Sequence, residues 1–487
     1  MATPLSFSSG APRAGFGGRR ALVIGGSLSG LLAARILTDH FEQVTVLERD
    51  AATDGAMARK GLPQGRHVHV LLKQGERILA HYFPGICDDL ERGGASRVDM
   101  ARDTRWFYFG NWKARFASGL EMLCQSRPFL DGVVRRHVAG LPRVRLLHGV
   151  DAAALAIDAT GRIAGVYVTR RRDGGDGASP RDGDDGTPHR DGSEDPRGGD
   201  EVPELLAADL VVDASGRGSR TPAWLTHSGW PAPEETEVRV DIGYASRCFR
   251  RPRGHTADWT GLMIYPKPPG TRLGVLFPIE DDRWMVTLVG WFGDHPPGDE
   301  DGFLAFARSL DAPDLHDAIR NAEPVSPIAL HKFPSNRRRH YERVPRLPEG
   351  LAILGDAFCS FNPIYGQGMT GGALGAQTLD LALHEQRARR GAGDLAGFSA
   401  AFHRRLGEVI DTPWLLTTIE DLRSPAAEGP RAAWVPLLQW YTARVQRLTW
   451  TDRFVGRRFL EVMHLTETPR VLFHPYIVYR ALAHGGA

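Results

Sequence analysis

The sequence predicts an α/β fold: a parallel-sheet domain, interrupted by a mainly antiparallel β lobe and followed by C-terminal helices. Three observations predict it. Residues 20–50 read strand, glycine turn, helix, strand, the unit that seeds a parallel sheet. Residues 351–387 return to strand, Gly-rich turn and helix. Between them, residues 236–295 are rich in β formers, with the alternation of a sheet that has two different faces.

In the first unit, Ala21 to Ile24 is a short apolar run ended by Gly25 and Gly26. Leu28 to Leu37 is apolar at helical spacing, and Val44 to Leu47 is a second, β-branched run. The pattern then predicts a helix over 64–83, with Ile78, Leu79 and Phe83 on one side. An aromatic hairpin over Trp106 to Phe116 should turn near Gly110-Asn111, and a helix should span Arg127 to Val138. Strands follow near 143–148 and 162–170. Residues 172–201 are Asp, Gly, Arg, Ser and Pro with almost no apolar side chain. Such a segment cannot bury enough surface to offset its ordering entropy. It reads as a disordered insertion, 172–202, joining strands at 162–170 and 203–212; its alternating charges argue against a binding tail. Leu273 to Phe277 and the alternating Trp284 to Val289 flank a Glu280-Asp281-Asp282 turn.

The resulting organisation is a disordered tail at 1–18 and a discontinuous parallel-sheet domain at 19–95, 124–171, 203–232 and 349–395. The inserted substrate domain is 96–123 and 233–348, and the C-terminal helical region is 396–487. A chain of 487 residues, 42% hydrophobic, can bury a large core or several lobes. Its net charge of +2 offers no strong field for nucleic acid or an acidic partner. Cys87, Cys124, Cys248 and Cys359 are widely spaced, which argues against a zinc site and a disulfide framework. No metal is expected. Residues 1–18 lack the apolar core of a signal peptide, and no stretch of about 18 apolar residues predicts a transmembrane segment. The expectation is a cytoplasmic protein.

Gly25-Gly26-Ser27-Leu28-Ser29-Gly30 falls at the first strand-to-helix turn. A Rossmann-like dinucleotide site needs a tight turn there, close backbone approach to the pyrophosphate, and a small residue where helix meets strand. The helix start adds N–H groups and a positive dipole end. Ser27 stands where the second glycine usually stands. Glu48 ends the second strand, the usual place for an acid that grips ribose hydroxyls. The loop alone does not separate FAD from NAD.

Two further motifs do. Leu210 to Asp213 runs into Ala214-Ser215-Gly216-Arg217-Gly218-Ser219-Arg220. Leu354-Gly355-Asp356-Ala357-Phe358 precedes Pro363-Ile364-Tyr365-Gly366-Gln367-Gly368-Met369, with a helix expected from about Thr370. An acid at Asp356 can hold a polyol hydroxyl, and N–H groups at a helix start suit the electron-rich edge of a flavin. In this order the three motifs resemble the flavin monooxygenases of the p-hydroxybenzoate hydroxylase (GR2) fold, over roughly residues 20–390. A narrower set of segments resembles the polyketide epoxidases of polyether pathways, the lasalocid and monensin type. These segments are Lys60 to His69, Asn362 to Met369, Asp411 to Trp414 and Glu420 to Arg423.

The resemblance implies FAD as cofactor, with Gly25, Gly26, Ser27, Ser29 and Gly30 on the pyrophosphate and Glu48 on the adenosine ribose. It implies Arg127 at the phosphate or ribityl region and Asp356 on the ribityl chain. Pro363, Gly366, Gln367, Gly368 and Met369 would pass along the isoalloxazine. Arg49 and Val150 are candidates near the adenosine, and Arg66 is a candidate flavin contact. Asp213 and Gly216 would shape the crevice, while the roles of Arg217 and Arg220 stay open. The implied activity is a monooxygenase using NAD(P)H and O2 through a flavin hydroperoxide. It would epoxidise or hydroxylate a small apolar polyketide, terpenoid or aromatic substrate in secondary metabolism.

No side chain is assigned as catalytic. Epoxidation needs no acid–base pair, phenol hydroxylation gains from one, and none is evident. Gly371 to Gly375 lies inside a predicted helix and reads as packing. NAD(P)H would therefore dock transiently, or a separate flavin reductase would supply electrons. His67 and His69 read as histidines satisfied by backbone carbonyls, or as groups near substrate. Asn336-Arg337-Arg338-Arg339-His340 reads as a solvated or lobe-bridging run. The alternatives are a double-bond reductase of the geranylgeranyl type, a halogenase, or a non-enzymatic prenyl-protein escort. The absence of a Trp-x-Trp-x-Ile-Pro segment disfavours the halogenase, and the intact Pro363 to Met369 loop disfavours the escort.

Overall fold

The structure is a computed structural model that describes residues 18–52, 63–170 and 203–484. The expected disordered tail (apart from Gly18), the insertion 172–202 and Lys60-Gly61-Leu62 lie outside the described residues.

Five parallel strands form the first sheet, in the spatial order Leu351–Ile353, Leu210–Asp213, Gly18–Ile24, Phe41–Glu48, Val144–His148. Val23, Val46 and Val212 are wholly buried, because helices and a three-stranded sheet, whose Leu155 and Val166 share the same core, cover the parallel sheet and leave no polar side to its strands. Leu31 and Ile36 of helix Leu28–Leu37, Val134 of Arg127–Ala139 and Leu379 of Gln367–Arg390 share this core. A three-stranded antiparallel sheet, Val150–Ile157, Ile163–Arg170 and Glu204–Ala207, lies beside it.

The second large sheet has eight strands. Its order is Cys359–Ser360, Ala329–Arg339, Glu235–Arg250, Arg283–Trp291, Arg272–Ile279, Gly261–Ile264, Thr104–Tyr108, Asn111–Trp112. Only Gly261–Ile264 against Thr104–Tyr108 is parallel. Both faces are covered. Trp284, Val286 and Leu288 pack against Phe303 and Leu315 of two short helices. Leu273, Val275 and Val289 look the other way, toward Val445, Phe459 and Leu460 of the C-terminal helices. The α/β class, the antiparallel sheet and the helical C-terminus are as the sequence predicts.

Three local expectations are corrected. The helix expected over 64–83 is confined to Lys73–Tyr82. Upstream, the Val68 N–H donates to Thr287 Oγ1 at 2.9 Å and His67 Nδ1 bonds Ser246 Oγ at 2.7 Å, so the large sheet holds this segment out of a helix. The strand expected at 203–212 breaks at Ala208-Asp209, whose N–H groups donate to Ala164 O and Arg20 O in two different sheets. Helix Gln367–Arg390 starts three residues before Thr370, directly after Gly366, whose φ is +66°. The strand Val150–Ile157 was not legible, since its Ala152-Ala153-Ala154 run has weak β propensity.

The basic run before the last parallel strand ties the lobes together. Arg338 donates to Asp411 and Glu342 at 2.7 and 2.9 Å, and Arg339 to Ala357 O and Arg217 O. Arg217, from the turn after Leu210–Asp213, donates to Ser335 O and Ser360 Oγ of the eight-stranded sheet.

Candidate cofactor crevice and substrate cavity

The three sequence motifs follow Ile24, Asp213 and Ile353, at the carboxyl ends of three adjacent parallel strands. Open α/β sheets bind ligands at that edge. The Gly25 N–H donates to Leu47 O at 2.9 Å, which fixes the turn. Gly25 has φ +104°, and a Cβ on it would lie 2.5 Å from Ala214 O. A Cβ on Gly30 would lie 1.9 Å from Gly25 O, so only glycine lets this helix start so near its strand. Leu28, Ser29 and Gly30 form the helix's first turn, whose N–H groups have no acceptor within the helix.

Ser27 precedes that helix without capping it. Its hydroxyl accepts from Arg127 Nη2 at 3.0 Å. Arg127 is 7% exposed and also donates to Asp131 Oδ1 at 2.9 Å. The buried Glu48 accepts the Asp50 N–H at 3.0 Å. Arg135 Nη2 donates to Gly26 O at 2.6 Å and lies 3.8 Å from Glu48 Oε2. Gly25, Gly26, Ser27, Glu48 and Arg127 thus meet around one turn, with Arg135 as a member the sequence reading missed. Ser29 Oγ is turned toward Gly355 and Gly372, so its backbone N–H, rather than its hydroxyl, belongs to the open helix start. Arg49 and Arg66 have exposed side chains, and the Val150 side chain is buried.

At the turn after Ile353, burial pushes the Asp356 carboxyl above its usual value, against the pull of the Arg127 and Arg217 charges. Asp356 lies beside the start of helix Gln367–Arg390: a Cβ on Gly368 would be 3.8 Å from its Oδ1. Gln367 is fully buried, and neither its Oε1 nor its Nε2 has a hydrogen-bond partner; the Thr370 hydroxyl is also unpartnered. Orphaned buried polar atoms cost about 1–3 kcal/mol each. A raised carboxyl, a free helix N-terminus and these side chains together fit a ligand with hydroxyl groups and an acceptor-rich ring edge.

Asp213 has a different role. It is wholly buried and accepts from the Ser215 N–H and from the Ser215, Ser219 and Thr221 hydroxyls, so its lone pairs are committed to shaping the turn.

The loop Pro363–Tyr365 is braced from the far side. Tyr265 donates to Ile364 O at 3.0 Å and Tyr365 to Asp421 Oδ1 at 2.9 Å. Asn336 and Asn362 also donate to Asp421, at 2.6 and 2.9 Å. Burial pushes the Asp421 carboxyl up to about 7, against these three hydrogen bonds.

A cavity of about 680 Å³ opens against this loop. Residues 67–70 and Pro363 to Gly366 line one end. Trp106, Met263, Val275 and Phe277 of the large sheet form its roof, and Trp414, Leu438, Phe459 and Met463 of the C-terminal helices face them. His67 lines it, with its ring 5.6 Å from that of His331. Burial, and then repulsion from the His69, His331 and Arg66 side chains where these carry charge, lower the His67 pKa to about 3; His69 falls to about 4, mainly by burial, and bonds the His67 carbonyl. Both imidazoles are therefore neutral near pH 7. Behind the wall, burial lowers Lys113 to about 7. Its ammonium stands 4.7 and 4.4 Å from the Trp106 and Phe459 rings and donates to Gln446 and Thr449. The sequence carried no pattern that singles out Lys113 or Arg135, because their partners are distant in the chain.

Solved structures share this fold. PqsL, described as a probable FAD-dependent monooxygenase from Pseudomonas aeruginosa, aligns at 16% identity and TM-score 0.56, covering 82% of this chain and 96% of its own. The flavin-dependent brominase Bmp2 aligns at 12% identity and TM-score 0.62, covering 96% and 98%. A flavoprotein/dehydrogenase from Cytophaga hutchinsonii aligns at 13% identity and TM-score 0.60, covering 95% and 96%. At such identities the likeness is one of fold. No family model matches the chain. The chain belongs to the family of Protein Rv3254 of Mycobacterium tuberculosis, with which it is 32% identical over 477 residues, 95% of this chain and 93% of that protein.

Proposed function

We propose that this chain is an FAD-dependent monooxygenase that epoxidises or hydroxylates a small apolar substrate, with NAD(P)H as reductant. The observation that carries the reading is the apolar cavity of about 680 Å³ ending on the Pro363 to Gly366 loop, next to the unsatisfied polar groups of Gln367 and Thr370. When bound, FAD would supply the electron transfer and O2 activation that no side chain can.

The chain's own residues bind, orient and exclude water. The N–H groups of residues 28–30 and the Arg127 guanidinium would hold the pyrophosphate, Glu48 the ribose and Asp356 the ribityl chain. The N–H groups of Gln367, Gly368 and Met369 would meet the ring edge. Arg49, Arg66 and Val150 remain proposed neighbours of FAD, Val150 through its backbone. The hydrogen bonds from Tyr265 and Tyr365 hold the loop against the cavity. The apolar walls exclude water, which favours productive oxygen transfer over loss of peroxide. Neutral His67 and His69 add no charge that would disfavour an apolar guest.

An alkene-bearing polyketide or a polycyclic aromatic fits these walls, and the segments resembling polyether-pathway epoxidases favour the alkene. The test is purification of the yellow protein and assay of polyene and polycyclic aromatic substrates for coupled NAD(P)H and O2 consumption, with a free flavin reductase supplied in parallel. Incorporation of labelled O2 into product is expected. Hydrogen peroxide as the sole product across the substrate panel, or turnover without O2, would sink the monooxygenase reading; the latter selects a double-bond reductase.

A further inference from the structure

Of the eleven large apolar side chains exposed among the described residues, eight lie between Trp434 and Leu482. The exposed apolar surface is therefore concentrated on the C-terminal helices. Leu437, Tyr479 and Leu482 are 68%, 65% and 62% exposed. These helices are joined: Arg444 Nε donates to Ala481 O at 3.2 Å, and Tyr441 stacks on Phe473 at 4.9 Å. Arginines sit on the aromatic rims, with Arg444 4.2 Å over Trp440, Arg458 5.6 Å over Phe454 and Arg480 5.7 Å over Tyr476. Residues 431–484 carry eight arginines against three carboxylates, in a chain whose overall charge is only +2.

We propose that this face docks on the surface of an anionic lipid bilayer. Aromatic rings with polar edges, exposed leucines and interleaved arginines are the composition of an interfacial helix. Basic side chains near an anionic leaflet each add attraction. A symmetric contact between two copies would instead set this positive face against itself. No helix of the described residues is long and apolar enough to cross a membrane, so the docking is peripheral. Trp434 and Phe473 belong both to the exposed face and to the cavity lining. The cavity therefore opens where the bilayer would lie. An apolar substrate would pass from lipid to the Pro363 loop without crossing water; this last step rests on the proposed function, whereas docking does not.

The test uses the purified full-length protein and sedimentation with phosphatidylcholine vesicles, with and without about one-third phosphatidylglycerol. Binding is expected only with the anionic lipid and should weaken as salt rises. The Leu437→Ser/Tyr479→Ser and Arg453→Glu/Arg457→Glu proteins alter side chains away from the cavity lining. Each pair should lower vesicle binding about tenfold or more, with flavin content and melting temperature unchanged. Absence of binding to anionic vesicles overturns the proposal. So does binding that both pairs leave intact, or a dimer in sedimentation equilibrium that Leu437→Ser/Tyr479→Ser dissociates while vesicles are ignored. Flavin content and oxygen transfer in detergent report separately on the function proposed above.

Discussion

A methyl group at Gly30 would sit 1.9 Å from the carbonyl oxygen of Gly25, a contact that only movement of the helix could relieve. Gly30→Ala is expected to cost about 1–3 kcal/mol through overpacking and to lower FAD content, read as absorbance per protein and as melting temperature. Asp356 and Asp213 separate by role at the same sheet edge. Asp356→Ala removes a carboxyl with no hydrogen-bond donor assigned to it in the protein and one proposed for the ribityl chain. It should weaken FAD by about 1.5–3 kcal/mol, the worth of hydrogen bonds to a charged group, with stability of the flavin-free protein little changed. Asp213→Ala strands four donors in the interior and should cost on the order of 3 kcal/mol or more of stability. Flavin titration beside urea denaturation of the apoprotein distinguishes the two.

At the scale of the element, the Pro363–Tyr365 turn depends on a carboxyl from helix Phe398–Asp421. The Asp421 pKa is raised from an ordinary 3.8 to about 7 by burial. The folded state therefore holds this proton more tightly than the unfolded chain. The stability it contributes is complete below about pH 4 and is lost as pH rises to about 7, after which this group adds no further slope. The loss is of order a few kcal/mol, at about 1.4 kcal/mol per pH unit. Asp421→Asn should flatten the dependence of melting temperature on pH between 4 and 7. An unchanged slope would show that Asp421 ionises as freely as in the unfolded chain.

For the whole molecule, the lobes are coupled by Arg217, Arg338 and Arg339, which tie the large sheet to the turns at the parallel sheet's edge and to helix Phe398–Asp421. Arg217→Ala removes three hydrogen bonds to Ser335 and Ser360 and should cost about 1.5–3 kcal/mol. The readout is a lower urea midpoint, together with more peroxide released per NAD(P)H as the cavity walls loosen. Val275→Phe adds volume into the cavity from its roof. It should raise KM for the largest substrates about tenfold or more, about 1.4 kcal/mol of lost fit, while NAD(P)H oxidation without substrate is unchanged.

Much of the sheet-edge chemistry was legible because it is local. Gly25 to Gly30, Asp213 to Gly216 and Asp356 to Met369 are each contiguous, and the turn geometry demands those residue types at that spacing. The α/β class followed from apolar periodicities for the same reason. What the sequence could not decide depends on residues far apart in the chain. Residues 67–72 are kept out of a helix by Ser246 and Thr287. Arg135 reaches Gly26 across 109 positions, and Asp421 meets Asn336, Asn362 and Tyr365 only after the lobes have packed. The cavity is likewise a product of tertiary structure, since its roof and its floor are apolar faces that local pattern marks simply as buried. By itself the sequence determined that glycine-rich turns, helix starts and carboxylates stand at the ends of the parallel strands. Only the packing of the C-terminal helices against the large sheet decided how much apolar space stands beside them, because that space is the gap between two separately encoded surfaces.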